Sequence, residues 1–167
     1  NEGQVYPGGM LYFKLDDPII RCSGAITPEE VEAAIMKKLK MKGLVLADVQ
    51  LIKHMDNEIQ GSSLIIPARI NKDNTLGKSS AATLEQFTVL RGYVKQLLKD
   101  ICTEIMKGYV PIKPYKKKKI TSCQYCSYSS ICQFDLTQNE NSFKVLHDRD
   151  NDEVWKLMSE SLEQKNN

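Results

Sequence analysis

The fold class that the sequence predicts is mixed α/β (α+β), and two observations predict it. Short aliphatic or alternating segments read as strands, and capped segments with 3.6-residue periodicity read as helices. With 167 residues, 41% hydrophobic and 26% charged, the chain can bury the core of one ordinary domain, and disorder is expected only at the ends.

The segment "GGMLYFKL" alternates Leu11, Phe13 and Leu15 on one face with Met10, Tyr12 and Lys14 on the other, as a strand does. "TPEEVEAAIMKKLKMKG" opens on a capping box from Thr27 to Glu30, has Pro28 at the first helical position, and ends in lysines before Gly43. It predicts a helix of about four turns. Residues 44–52 and 63–70 are rich in aliphatic side chains and predict a strand pair, with Pro67 forcing its strand to an edge or a bulge.

After the polar turn "NKDNTLGKSS" comes the clearest periodicity. Leu84, Phe87, Leu90, Val94, Leu97, Leu98, Ile101 and Ile105 share one helical face, with Thr83 and Gln86 as the cap and Gly108 at the close. Gly92 inside this helix costs about 1 kcal/mol against Ala, and either allows close packing or carries no meaning. "YVPIKPYKKKKI" reads as a Pro- and Lys-rich linker. Asp150 and Glu153 predict a capped C-terminal helix, "DEVWKLMSESLEQ". The organisation expected is 1–109 as part of an α/β domain, 110–135 as linker and cysteine loop, and 136–167 as tail and helix.

No apolar run approaches the roughly 18 residues that cross a bilayer, and no signal pattern opens the chain. The expected compartment is therefore the cytoplasm, where thiols stay reduced and clustered cysteines bind metal more often than they pair. Because the chain begins with Asn1 rather than Met, it is expected to be a fragment of something longer.

Cys123, Cys126 and Cys132 have the spacing C-x2-C-x5-C. One tight turn can deliver the close pair to a metal centre, and the longer gap returns the third sulfur, whereas the bland reading is three reduced thiols in a surface loop. Four donors are usual, so a fourth ligand is sought. His147 would complete a Cys3His zinc site, Cys102 and Cys22 read as inert packing residues, and an origin upstream of Asn1 stays open.

Lys116, Lys117, Lys118 and Lys119 are candidates for phosphate contact with nucleic acid, since clustered lysine draws a polyanion without reading bases. A solvated linker is the competing reading. Arg69 and Lys72 are weaker candidates, with hairpin-tip charge as their default. No reaction centre emerges: "TLGKSS" lacks the first glycine of a P-loop, the acidic-x-Lys triplet Glu163-Gln164-Lys165 lies in the charged tail, and His54 and His147 have no triad partners.

Four segments, "PGGMLYFKLDDPII", "GLVLADVQLIKHMD", "IIPARINKDNTLGKSSAATLEQFTVLRGYV" and "PYKKKKITSCQYCSYSSICQFD", together resemble the C-terminal part of the B-type (AddB) subunit family of the bacterial ATP-dependent helicase/deoxyribonuclease. The resemblance covers roughly residues 5–135. It implies the C-terminal part of a restriction-endonuclease-like PD-(D/E)XK domain, with a short sheet flanked by helices. It also implies that Cys123, Cys126 and Cys132 are three of four [4Fe-4S] ligands, with the fourth well upstream. In such proteins the catalytic Asp, the acidic-x-Lys strand and the Gln-x-x-x-Tyr helix, which serve Mg2+-dependent cleavage, precede the first of these segments. The resemblance thus implies a parent that binds ATP and DNA, pairs with an A-type helicase-nuclease subunit as a heterodimer and processes DNA ends for recombinational repair, and a fragment that does not cut alone. The alternative is a free-standing zinc or iron-sulfur nucleic-acid-binding module.

Overall fold

The computed structural model describes residues 5–15, 17–109, 111–138 and 141–166. Asn1 and residue 110, where the sequence places the start of the basic linker, lie outside the described residues. The chain divides into two compact units, residues 1–88 and 89–167.

In the first unit, β1 (Gly9–Tyr12), β2 (Lys42–Leu46) and β3 (Ala81–Ala82) form a sheet in the order β1-β2-β3. β1 and β2 run antiparallel, with Met10 opposite Leu44 and Leu11 opposite Gly43, and β3 joins β2 in parallel at Val45 and Leu46. Gly43 is required there: its φ is +133°, and a Cβ would lie 2.1 Å from the Met10 carbonyl oxygen.

Helix α1 (Pro28–Leu39) starts as the sequence predicts. Thr27 Oγ1 accepts the Glu30 N–H at 3.3 Å, and the Glu30 carboxylate accepts the Thr27 N–H at 3.0 Å. It ends sooner than predicted, because Lys40 turns extended and feeds β2.

Residues 44–52 do not form one strand. After β2, Asp48 breaks the ladder by accepting the N–H groups of Gln50 (2.8 Å) and Leu51 (3.2 Å), which starts α2 (Val49–Met55) and packs it against β2. The predicted partner, residues 63–70, forms no ladder either. Ser63 Oγ accepts the N–H groups of Ile65 and Ile66, both at 3.0 Å, and a tight turn around Pro67 bonds Ala68 N–H to Ile66 O at 2.8 Å. Isolated bridges remain at Ser62–Arg69 and Ile70–Leu76. The aliphatic content of this segment reflects burial rather than pairing: Ile66, Ala68 and Ile70 join Val45 and Ile52 in the core, with Leu11, Val49 and Met55 packed against it. Burying one such Ile contributes about 1.5–3 kcal/mol.

Helix α3 (Leu84–Met106) has the predicted capping box, Thr83 N–H to Gln86 Oε1 at 2.9 Å and Gln86 N–H to Thr83 Oγ1 at 3.2 Å. Gly108 closes it at φ +68°. In the second unit α5 (Asn151–Asn166) begins where Asp150 accepts the Glu153 N–H at 2.8 Å. Gly92 does allow close packing, since a Cβ there would lie 3.2 Å from a Leu162 methyl. The "linker" and the start of the cysteine loop supply β4 (Tyr115–Lys117) and β5 (Ile120–Thr121), and the tail adds β6 (Lys144–Val145), to make a second sheet ordered β5-β4-β6. The architecture is mixed α/β, with small sheets and flanking helices.

Candidate functional site

The four lysines form the tip of a two-residue hairpin. Lys116 pairs with Thr121 and Lys117 with Ile120, leaving Lys118 and Lys119 as the turn. Lys118 takes a left-handed φ of +54°, the sign that a tight hairpin needs at its first loop residue. β6 adds in parallel on the other side of β4, with Lys116 opposite Val145.

This geometry divides the basic run. Asp148 accepts from Lys117 and Lys118, each at 2.8 Å, and these two hydrogen bonds, Lys117's first, hold its carboxyl below the ordinary carboxylate value. Lys116 Nζ instead lies 5.2 Å from the centre of the Phe143 ring, which itself packs on Phe134 at 4.8 Å. Lys119 has no ion-pair partner among the described residues.

β5 leads directly into the cysteine segment. A single 3-10 turn, Ser122–Tyr125, carries Cys123, and the Cys126 N–H bonds back to the Cys123 carbonyl at 3.3 Å. Cys132 ends a short helix, α4 (Ser129–Cys132), with its N–H on Tyr128 O at 2.8 Å, before Gln133 turns left-handed at φ +46°. Cys123 is half-buried, Cys126 and Cys132 are exposed, and all three are free thiols. Among the described residues, no three His, Cys, Asp or Glu side chains already stand close enough to hold a metal ion together. The donor chemistry nevertheless fits a thiolate-bound centre: one turn separates the first two sulfurs, and the third follows on an exposed segment.

Other expected positions resolve as follows. Cys102 and Cys22 are exposed, not the packed residues the sequence predicts; Cys102 sits on a stretch of α3 where Val94, Leu98 and Ile101 are themselves exposed. His147 is exposed, and His54 Nδ1 lies 2.7 Å from the Gln50 carbonyl. Lys165 pairs with Asp100, whose carboxyl is pushed down by that hydrogen bond and then by one from Gln96. In "TLGKSS", Gly77 N–H bonds Arg69 O at 2.8 Å, Ser79 Oγ accepts Arg69 N–H at 2.8 Å, and Ser80 Oγ donates to Gly43 O at 2.6 Å. These serines fasten a loop to the sheet and hold no phosphate cradle.

One group escaped the sequence reading. Lys53 of α2 meets Arg69 and Lys72 around a cleft of about 690 Å³ that Gln60, Asn71 and Asn74 also line. Arg69 and Lys72 were visible as candidates, but only the fold brings Lys53 beside them.

Residues 1–133 match the PD-(D/E)XK nuclease superfamily. The chain belongs to that superfamily. Its similarity to curated relatives runs further along the chain. It is 71% identical to the B-type subunit of the ATP-dependent helicase/deoxyribonuclease of Ruminiclostridium cellulolyticum over 96% of its length. It is 62% identical to the protein of that name from Acetivibrio thermocellus over 96%, and 50% identical to that from Clostridium novyi over 96%. The chain spans 14% of the length of each of these relatives. The resemblance read from the four sequence segments is thereby borne out. The superfamily match takes in both the basic hairpin and the three clustered cysteines. No helix among the described residues is long and apolar enough to cross a membrane.

Proposed function

We propose that this nuclease-superfamily chain is the C-terminal part of an ATP-dependent DNA helicase-exonuclease subunit, which acts with an A-type helicase-nuclease partner on double-stranded DNA ends in cytoplasmic recombinational repair. The observation that carries the reading is 71% identity, across nearly the whole chain, to a protein named as that B-type subunit. Cleavage, with its Mg2+, and ATP hydrolysis are assigned to other parts of the assembly. This segment by itself is inactive.

Cys123, Cys126 and Cys132 would hold three corners of a [4Fe-4S] cluster, and the fourth ligand comes from elsewhere in the longer protein. When bound, the cluster supplies a crosslink that closes a long chain loop and so limits the unfolded ensemble. This chain's own part is to present the sulfurs. The 3-10 turn sets the first pair, and β5, hydrogen-bonded to β4, anchors that turn to the second sheet. Lys116 and Lys119 are the members of the basic run left to contact DNA phosphates, because Lys117 and Lys118 share Asp148.

The test is anaerobic purification of the full-length protein, followed by iron and sulfide analysis and a visible spectrum. Brown protein with about four irons is expected, with the colour lost in Cys126→Ser and kept in Cys102→Ser. Colourless protein with one zinc, or iron unchanged in Cys123→Ser, Cys126→Ser and Cys132→Ser alike, would overturn the assignment in favour of a zinc module or of inert thiols.

A further inference from the structure

We infer that the Lys53–Arg69–Lys72 cleft of the first unit is a second, separate phosphate-binding site that holds the sugar-phosphate backbone of a single DNA strand. The inference rests on the DNA-processing reading above and adds to it a site in residues 1–88, away in sequence from both the lysine hairpin and the cysteines.

Three features single out this cleft. Its cations come from distant parts of the unit, Lys53 from α2, Arg69 from the core segment between Ala68 and Ile70, and Lys72 from the loop after it, and they face a common concavity of about 690 Å³. None of the three has a carboxylate within ion-pair reach among the described residues. The nearby acid is already occupied: Asp73 accepts from both the Thr75 N–H (3.2 Å) and the Thr75 hydroxyl (2.7 Å), and these bonds hold its carboxyl below the ordinary value. No acidic side chain lines the cleft, although Glu58 borders the adjoining hollow beside Lys53.

The support beneath is rigid. Arg69 has its N–H on Ser79 Oγ and its carbonyl on Gly77 N–H, both at 2.8 Å, and Ile70 beside it is core. Asn71 donates to Thr75 Oγ1 at 3.1 Å, which fixes the loop carrying Lys72. An unpaired cationic groove on a stiff frame is what tracks a phosphodiester chain, and because no aromatic side chain lines it, it lacks the stacking platform that would grip bases. The larger basic hollow around Lys37, Lys38 and Lys42 is less suited, since Asp17 forms part of its wall and Lys38 donates to the Ile19 carbonyl.

The test measures binding of a fluorescein-labelled oligo-dT to the full-length protein by anisotropy across a salt series. Each lost single-strand phosphate contact should flatten the slope of log K against log salt by about 0.7. Lys53→Gln/Lys72→Gln should therefore flatten it by about 1.4, and adding Arg69→Gln by about 2. The double variant leaves the Arg69 stem in place, so it reports on charge even if the triple variant folds poorly. Lys95→Gln/Lys99→Gln, which removes the same charge from α3, should leave the slope as it was.

An unchanged slope in the double variant, or an equal change in the α3 control, overturns the cleft while the DNA-processing reading stands. If the unmodified protein shows no salt-dependent DNA binding, that reading falls and the cleft with it.

Discussion

Residues 1–88 and 89–167 are of similar size but are held together differently. Among the described residues, every buried apolar side chain except Met158 lies in the first unit. There, the sheet, α2 and the irregular segment around Pro67 close over Val45, Ile52 and Ile66, all at most 2% exposed. In the second, the apolar stripe of α3 stands open, from 43% exposure at Val94 to 63% at Ile105, and Tyr125, Tyr128 and Ile131 project from the cysteine loop. Its order comes from caps, two short strand pairings, ion pairs and the contact of Gly92 with Leu162. The comparison teaches that periodicity announces a face meant for burial without saying what buries it. Under the proposed function, an iron-sulfur crosslink and the remainder of a longer protein supply what this unit lacks.

The largest expected effect tests the first half of that contrast. Ile52→Ala should cost about 2–5 kcal/mol, read by denaturant unfolding and by loss of amide protection in β2. A cost under about 1 kcal/mol would mean the first unit is not closed around Ile52. In the second unit, Lys118→Gly should stabilise the hairpin by up to about 1 kcal/mol, because glycine takes the left-handed φ without the Cβ penalty, and this outweighs the exposed Lys118–Asp148 pair it removes, Asp148 keeping Lys117. Slower amide exchange at Ile120 would record the gain.

Leu98→Ala, by contrast, should change the stability of this chain by no more than about 0.5 kcal/mol, since Leu98 is 57% exposed. A large loss would show that the α3 face is already covered, and would erase the difference between the units. The smallest effect belongs to Asp148. Its folded-state carboxyl titrates below the ordinary value of 3.8, so the Lys117–Asp148–Lys118 contact contributes fully above that value. The contribution is lost as pH falls through the lower, folded-state value. Amide protection in the hairpin, taken relative to the intrinsic exchange rate at each pH, should fall in that acid window, and in Asp148→Asn this step should disappear.

Much of this was readable from local chemistry. The Thr27–Glu30 and Thr83–Gln86 caps, the Pro28 start, the Gly108 stop and the Asp150 cap all formed, because each depends on groups only a few residues apart. The same local reading exposed the cysteine spacing, and the four quoted segments carried the family. It failed wherever two distant segments had to choose each other. Residues 63–70 look like a strand but are core without a ladder, while Ala81 and Ala82, with no strand signal of their own, pair with β2. Likewise, four adjacent lysines look equivalent until Asp148 takes two of them, and Lys53, just past a segment that reads as a strand, looks like an ordinary surface lysine until the fold sets it beside Arg69 and Lys72. Caps and turns are decided by short-range hydrogen bonds that a few neighbouring residues specify. Strand partners, burial and the field around a charge arise from groups that meet only after the chain has folded, so they belong to tertiary structure.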